Sequence, residues 1–334
     1  MKIDFHTHVV PGRYLDLVRR GEVPDVRLTR GDGGEVLDVA GGAEGGQVAQ
    51  RLPLLATYHD PGARAAAMDA AGVDAHVLSP VQFMYHYWLE AGRAAALAQA
   101  ANDGIADMVR AEPRRFAGMA TLPLQHVPAA VAELKRVHAL GFRAVEIGTH
   151  VAGVPLDSPD LDGVYGAAEA LGVAVFVHPY APLGRDRLGR YFLRNLLGNP
   201  FETAVAISHL AFGGVLERFP RLRLCFAHGG GAILAVAGRL DRGHALEPAC
   251  RAQGGGRPGD YLRRFWYDTI THDVAALQYL VARVGASQVV LGSDYPFAIG
   301  DPDPVRTVRG LDLETSAREA ILGGNAAALL GMQA

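Results

Sequence analysis

Eight short runs rich in β-branched, aromatic and other apolar residues recur along the chain, at residues 2–5, 75–79, 116–121, 144–147, 173–177, 223–226, 265–268 and 289–291, and segments of helical periodicity separate them. A strand covered on both faces reads as a continuous apolar run, as Val173-Ala-Val-Phe-Val177 does. Strands that alternate with helices build parallel sheets, and eight such units close a (β/α)8 TIM barrel. A doubly wound open sheet is the competing topology. The 334 residues suit one barrel domain with insertions. Segment 92–111 is Ala-rich and stops before Pro113, and segment 128–140 stops at Gly141, a natural C-cap, so both are expected to be helices.

Between the first two runs lies a long insertion, at about residues 9–60, that contains Gly41-Gly42-Ala43-Glu44-Gly45-Gly46. Such a length without strong periodicity points to a functional loop or a mobile insertion. We expect an excursion over the barrel mouth that helps cover substrate. For the glycine-rich part a disordered surface loop is the alternative.

Composition narrows the function classes. Hydrophobic residues make up 49% of the chain and charged ones 20%, enough apolar material for a large core. The formal charge is −3 with both signs interspersed, which argues against nucleic acid or a membrane surface as partner. The chain enters Lys2-Ile3-Asp4 without a basic region and apolar stretch, so a cytoplasmic location is expected. Two cysteines make no disulfide framework, and Cys225, inside an apolar run, reads as a core residue.

Barrel enzymes carry their chemistry at the C-terminal ends of strands, so the residues that follow each run matter most. After the first run come His6 and His8, which alternation along an extended chain points to one side. The fifth run leads to His178, the sixth to His228 and the eighth to Asp294. A lone His-x-His is weak evidence, because half-buried strand histidines with satisfied hydrogen bonds are common. Strand ends that all supply metal-competent side chains to one ring make a stronger case. We therefore expect His6, His8, His178 and Asp294 to hold one divalent ion. This donor set suits Zn2+ first, with Mn2+ or Co2+ possible. His228 is left over, and its position suits a general base beside the water that such an ion activates. The glycines 229–231 either let substrate approach the backbone closely or simply make a tight turn. The fourth run ends in Glu146-Ile-Gly-Thr-His150 without a lysine that could be carbamylated to bridge two ions, so a single ion is expected.

Several segments carry a family resemblance: Asp4-Phe-His-Thr-His8, Pro113-Arg-Arg-Phe116, Thr121-Leu-Pro-Leu124, Ile147-Gly-Thr-His150, Val177-His-Pro179, Cys225-Phe-Ala-His-Gly-Gly-Gly231, Gly238-Arg239 and Leu291-Gly-Ser-Asp-Tyr-Pro-Phe297. On these the chain resembles the amidohydrolase-related (type 2) decarboxylases and, within that family, those acting on aminocarboxymuconate semialdehyde. The resemblance implies loss of carbon dioxide from a small unsaturated or aromatic carboxylic acid with no organic cofactor. It implies zinc at the four residues named and His228 as the activating group. It also implies arginines that grip substrate carboxylates, and a homodimer in which Arg239 crosses into the neighbouring site. Two positions depart from the family pattern. His59-Asp60-Pro61 replaces a Trp-Asp-Pro segment, leaving Arg51 as a displaced candidate for the substrate arginine, and Tyr180 replaces a tryptophan. Arg51, Tyr180, Arg239 and Phe297 are thus the expected substrate-binding residues. A metal-dependent hydrolase of a lactone or cyclic amide is the alternative activity, and a protein with a purely structural metal is the non-enzymatic one.

Overall fold

In a computed structural model, which describes residues 1–40, 48–184 and 186–332, the apolar runs form one eight-stranded sheet whose neighbours follow chain order. The strands are β1 (Ile3–Val9), β2 (Ala75–Pro80), β3 (Phe116–Thr121), β4 (Ala144–Gly148), β5 (Ala174–His178), β6 (Leu224–Phe226), β7 (Trp266–Asp268) and β8 (Val289–Val290). Every pairing between consecutive strands is parallel. The last strand meets the first through Phe5 N–H to Leu291 O at 2.8 Å, Asp294 N–H to His6 O at 2.9 Å and His8 N–H to Tyr295 O at 2.7 Å. The result is a TIM barrel rather than an open sheet.

Strand parity sorts the side chains. Phe5, Met119, Ala144, Phe176, Cys225 and Val290 fill the barrel interior, while Val145, Ile147, Val175, Val177 and Phe226 face the helices. Cys225 is accordingly buried and free. Because successive strand residues alternate, His178 keeps the inward parity of Phe176, and Glu146 that of Ala144. In β1 the register slips between Asp4 and Thr7. The slip lets both Phe5 and His6 reach Phe176, with ring centroids 5.7 and 4.8 Å away, while Asp4 turns outward to Ser293.

The two expected helices run from Ala91–Ala111 and Val127–Ala139. Glu90 caps the first through Arg93 N–H at 2.6 Å, and Gly141 follows the second at φ +101°. The insertion differs from the aperiodic loop anticipated. It carries a helix, Gly12–Arg19, and a three-stranded antiparallel meander of Val26–Gly31, Gly34–Ala40 and Val48–Pro53. The physical reason is a second core: Tyr14, Leu15, Leu37, Val39, Leu52 and Tyr58 pack with Phe83, Met84 and Leu97 of the barrel loops and helices. The glycine-rich run 41–46 lies outside the described residues. Among those residues, no helix is long and apolar enough to cross a membrane.

Candidate metal centre

His6, His8, His178 and Asp294 converge at the C-terminal mouth of the barrel, each offering one ligand atom, and these atoms lie within 4.8 Å of one another. All four residues are buried. Each imidazole has its Nδ1 side engaged. His6 Nδ1 lies 2.6 Å from Asp268 Oδ2, His178 Nδ1 lies 3.0 Å from Pro179 O, and His8 Nδ1 lies 3.2 Å from Ser79 Oγ. These acceptors fix Nδ1–H tautomers and leave three Nε2 lone pairs facing inward, the arrangement a divalent ion requires. His6 Nε2 and His8 Nε2 are 3.0 Å apart, and both lie near Asp294 Oδ1, at 3.3 and 3.1 Å. His178 Nε2 and Asp294 Oδ1 are buried without hydrogen-bond partners. Buried lone pairs aimed at one point are costly unless a cation sits among them, so the residues present fit a metal ion.

The electrostatics agree. Burial works against a charged His6, yet its hydrogen bond to Asp268 and the close Asp294 carboxylate push it up to about 10. Burial likewise opposes ionisation of Asp294, and contacts with His228, His6 and His8 nonetheless hold it well below the usual carboxylate range. The site thus favours a positive charge at its centre, which a metal supplies without a proton.

Asp268, at the end of β7, organises the surroundings. Besides His6 it accepts the backbone N–H of His228 at 2.9 Å, of Gly229 at 2.9 Å and of Ile270 at 3.0 Å. One carboxylate therefore orients a ligand imidazole and the turn that carries His228. Burial alone would raise its pKa, but the His6 interaction brings it below the usual range. His228 stands beside the cluster, its ring centroid 5.1 Å from His178, its Nε2 3.8 Å from Asp294 Oδ2 and its Nδ1 without a partner. After it, Gly229, Gly230 and Gly231 all take positive φ. A Cβ on Gly231 would sit 2.2 Å from Pro200 O, so the tight turn itself demands glycine. A cavity of about 450 Å³ opens on His228 and Asp294.

The expected substrate-binding residues scatter. Phe297 lies at the centre, its ring 5.2 Å from that of His8. Tyr180 packs against Tyr85, Tyr87 and His150, with centroids 5.5 to 5.7 Å apart. Arg51 sits on the meander, paired with Asp38 at 2.8 Å and 62% exposed, away from the cluster. Arg239 is exposed on the helix Ile233–Leu246, one turn past the cavity-lining Ala235, with no partner among the described residues.

Sequence reasoning missed Asp268, Gln82, Glu146 and Arg64. Gln82 Nε2 lies 3.2 Å from His8 Nε2. Glu146 accepts from Tyr85 OH and keeps its second oxygen buried and unpartnered, 3.9 Å from His8 Nδ1. The fully buried Arg64 donates to His8 O and Thr57 O, both at 2.9 Å, and so joins β1 to the insertion. Asp268 and Glu146 could have been found, since both fall at the ends of runs that were read as strands.

Comparison with known proteins places this geometry. The amidohydrolase family model matches residues 3–332. The 2-amino-3-carboxymuconate-6-semialdehyde decarboxylase of Dictyostelium discoideum is 36% identical, over 99% of this chain and 92% of that protein. The 5-carboxyvanillate decarboxylase of Sphingomonas paucimobilis superposes with a TM-score of 0.82 at 28% identity, over 99% of both chains. That of Novosphingobium aromaticivorans, solved with manganese and 4-hydroxy-3-methoxy-5-nitrobenzoic acid, gives 0.79 at 22% identity, over 99% of this chain and 96% of that one. With a family match from end to end and a barrel that brings His, His, His and Asp together at its mouth, the chain belongs to the amidohydrolase family.

Proposed function

We propose that the chain is a metal-dependent, non-oxidative decarboxylase of a small unsaturated or aromatic carboxylic acid, an aminocarboxymuconate-semialdehyde-type substrate being favoured. The observation that carries this reading is three inward Nε2 atoms and Asp294 meeting beside a cavity, with His228 next to them and uncommitted at Nδ1. The names of the relatives described above, each a decarboxylase, support the reaction class.

In this reading His6, His8, His178 and Asp294 hold one ion. Three nitrogens and one carboxylate favour Zn2+, and Mn2+, present in two structural neighbours, or Co2+ are alternatives. When bound, the ion supplies positive charge that stabilises the negative charge developing on the substrate. His228, expected as a base toward water, serves decarboxylation in the opposite sense: it holds a proton and hands it to the carbon that bears the carboxylate. The bond to that carboxylate then breaks, its electron pair restores the unsaturated system, and carbon dioxide leaves. Phe297 and Tyr180 form part of the substrate's surroundings. Arg51 would have to leave Asp38 to contribute a carboxylate grip. Arg239 acts from the partner of a homodimer, a reading supported by its exposure and by the exposed Tyr191, Phe192, Leu196 and Phe201 on the same mouth. The insertion helps cover substrate, supported by Phe297 packing into its core beside Tyr58. The free thiols Cys225 and Cys250 are in keeping with the cytoplasm.

Incubation of metal-loaded protein with candidate acids tests the proposal. One carbon dioxide released per substrate consumed is expected. Consumption that yields a titratable acid without carbon dioxide would overturn it in favour of a lactone or cyclic-amide hydrolase.

A further inference from the structure

On β4 to β6 the strand positions that face the helices are apolar, as at Val145, Val175 and Phe226. Asp4 and His76 break that pattern. They stand opposite each other on the paired strands β1 and β2, and their neighbours Ile3, Phe5, Ala75 and Val77 belong to the barrel interior, so both side chains face the helix layer. Both are buried. Arg64 reaches them from the helix Pro61–Ala71. The ring of Tyr295 lies 5.6 Å from that of His76, and the Arg64 guanidinium carbon stands 5.1 Å over the same tyrosine.

Hydrogen bonds fix the state of this cluster. An arginine Nε always carries a proton, so Arg64 donates to His76 Nδ1, 3.2 Å away, and the imidazole proton sits on Nε2. Burial, with Arg64 and Arg115 nearby, holds His76 well below the usual histidine range and keeps it neutral. Its Nε2–H then stands 3.7 Å from Asp4 Oδ2, too far for a hydrogen bond, and it makes no other among the described residues. Asp4 is itself held in place. Its Oδ1 accepts the backbone N–H of His6 at 3.2 Å and of Ser293 at 3.1 Å, and its Oδ2 accepts from Ser293 Oγ. A buried donor and a buried acceptor separated by a gap that one oxygen atom bridges are costly when nothing fills it.

Asp4, His76, Ser293 and Tyr295 all line a cavity of about 420 Å³, a volume within the range of small-molecule sites. It shares no lining residue with the cavity at His228 and Asp294. Its other walls are mostly apolar, among them Ala67, Ala71, Val73, Pro296 and Pro304, and no lysine or arginine lines it. The one further acid there, Asp301, is committed to Asp303 N–H at 2.9 Å and Thr307 Oγ1 at 2.7 Å. An anion would meet Asp4 without a countercharge, and a cation would meet the His76 N–H as donor against donor. A neutral hydroxyl suits both partners, since it accepts from His76 and donates to Asp4. We propose that this cavity is a second ligand site, which takes a small neutral phenol or alcohol. Its hydroxyl bridges His76 Nε2 and Asp4 Oδ2, and its apolar body lies against Ala67 and Ala71. The site backs onto the metal centre, because Asp4 and Ser293 stand two residues and one residue before His6 and Asp294.

Fluorine NMR titration of the metal-loaded, full-length protein tests this with 4-fluorophenol and 1,4-difluorobenzene, which differ only in O–H against F. Saturable binding of the phenol at one site per subunit is expected, about ten- to hundredfold tighter than that of the difluoro compound, the size of two hydrogen bonds. Ala67→Leu, which fills the cavity from a helix position that suits leucine, should abolish binding of both probes. His76→Asn places Oδ1 where Nδ1 stood and so keeps the acceptor for Arg64 while removing the Nε2–H. It should cut the preference about three- to tenfold, and where it fails to fold, Ala67→Leu and the probe pair still decide. Equal affinity for the two probes, phenol binding that survives Ala67→Leu, or an unchanged preference in folded His76→Asn would overturn the assignment. So would the absence of saturable binding, which would leave water alone as the bridge between Asp4 and His76. None of these readouts needs turnover, so the site stands or falls independently of the decarboxylase reading.

Discussion

His228 and His178 are similar side chains at the ends of neighbouring strands, yet they differ in function, one moving a proton and the other holding the ion. His178→Ala or Asp294→Ala should remove most bound metal together with activity, because each takes one ligand atom out of a four-atom set. His228→Ala should keep the metal and lose about two to four orders of magnitude in turnover, the usual size of a general acid-base contribution. Metal analysis beside kinetics on the same preparations separates the two, and full metal content in His178→Ala would remove that residue from the centre. Asp268→Asn makes a subtler case. It retains the shape but gives up the carboxylate that sets the His6 tautomer at 2.6 Å, so metal affinity should fall about 10- to 100-fold. Competition with a chelator reads this directly. The histidines and Asp294 were legible because each directly follows an apolar strand run. Asp268 and Glu146 were not singled out because a carboxylate that closes a run does not announce whether it binds a ligand, supports one, or caps a turn.

Among the elements, the strands were the most legible part. Each is buried on both faces, so the apolar run in the sequence and the strand in the fold nearly coincide, as at Phe116–Thr121. The meander of the insertion was opaque because only one face of it is buried. Leu37 and Val39 turn inward while Val36 and Asp38, on the opposite face, stay partly exposed, and three short half-polar strands leave a weak signal. The Gly229–Gly231 turn is where element and chemistry meet. Gly231→Ala would place a Cβ 2.2 Å from Pro200 O at φ +60°, costing about 2–4 kcal/mol from strain and overpacking combined. We expect a lower melting temperature and reduced turnover with the four ligand side chains untouched. Gly12→Ala, where a Cβ meets nothing within 4 Å, is the matched control and should melt at or above the wild-type temperature.

For the whole molecule, the proposed homodimer makes a quantitative prediction. Arg239 stands six residues into the helix that begins at Ile233, about 9 Å along its axis and one turn past the cavity-lining Ala235, with its side chain exposed and free to reach a neighbouring subunit. Inactive His228→Ala protein mixed with inactive Arg239→Ala protein should regain up to one wild-type site per mixed dimer once subunits exchange. No recovery despite demonstrated exchange would remove Arg239 from the shared site. The central claim, that a single ion bound by four residues at the barrel mouth drives loss of carbon dioxide, is tested most directly by titrating metal-stripped protein with Zn2+ or Mn2+ while carbon dioxide release is followed on a verified substrate. Negligible release from stripped protein, a linear rise, and a break at one equivalent per subunit are expected. Full activity without metal, or a break at two equivalents, would contradict it.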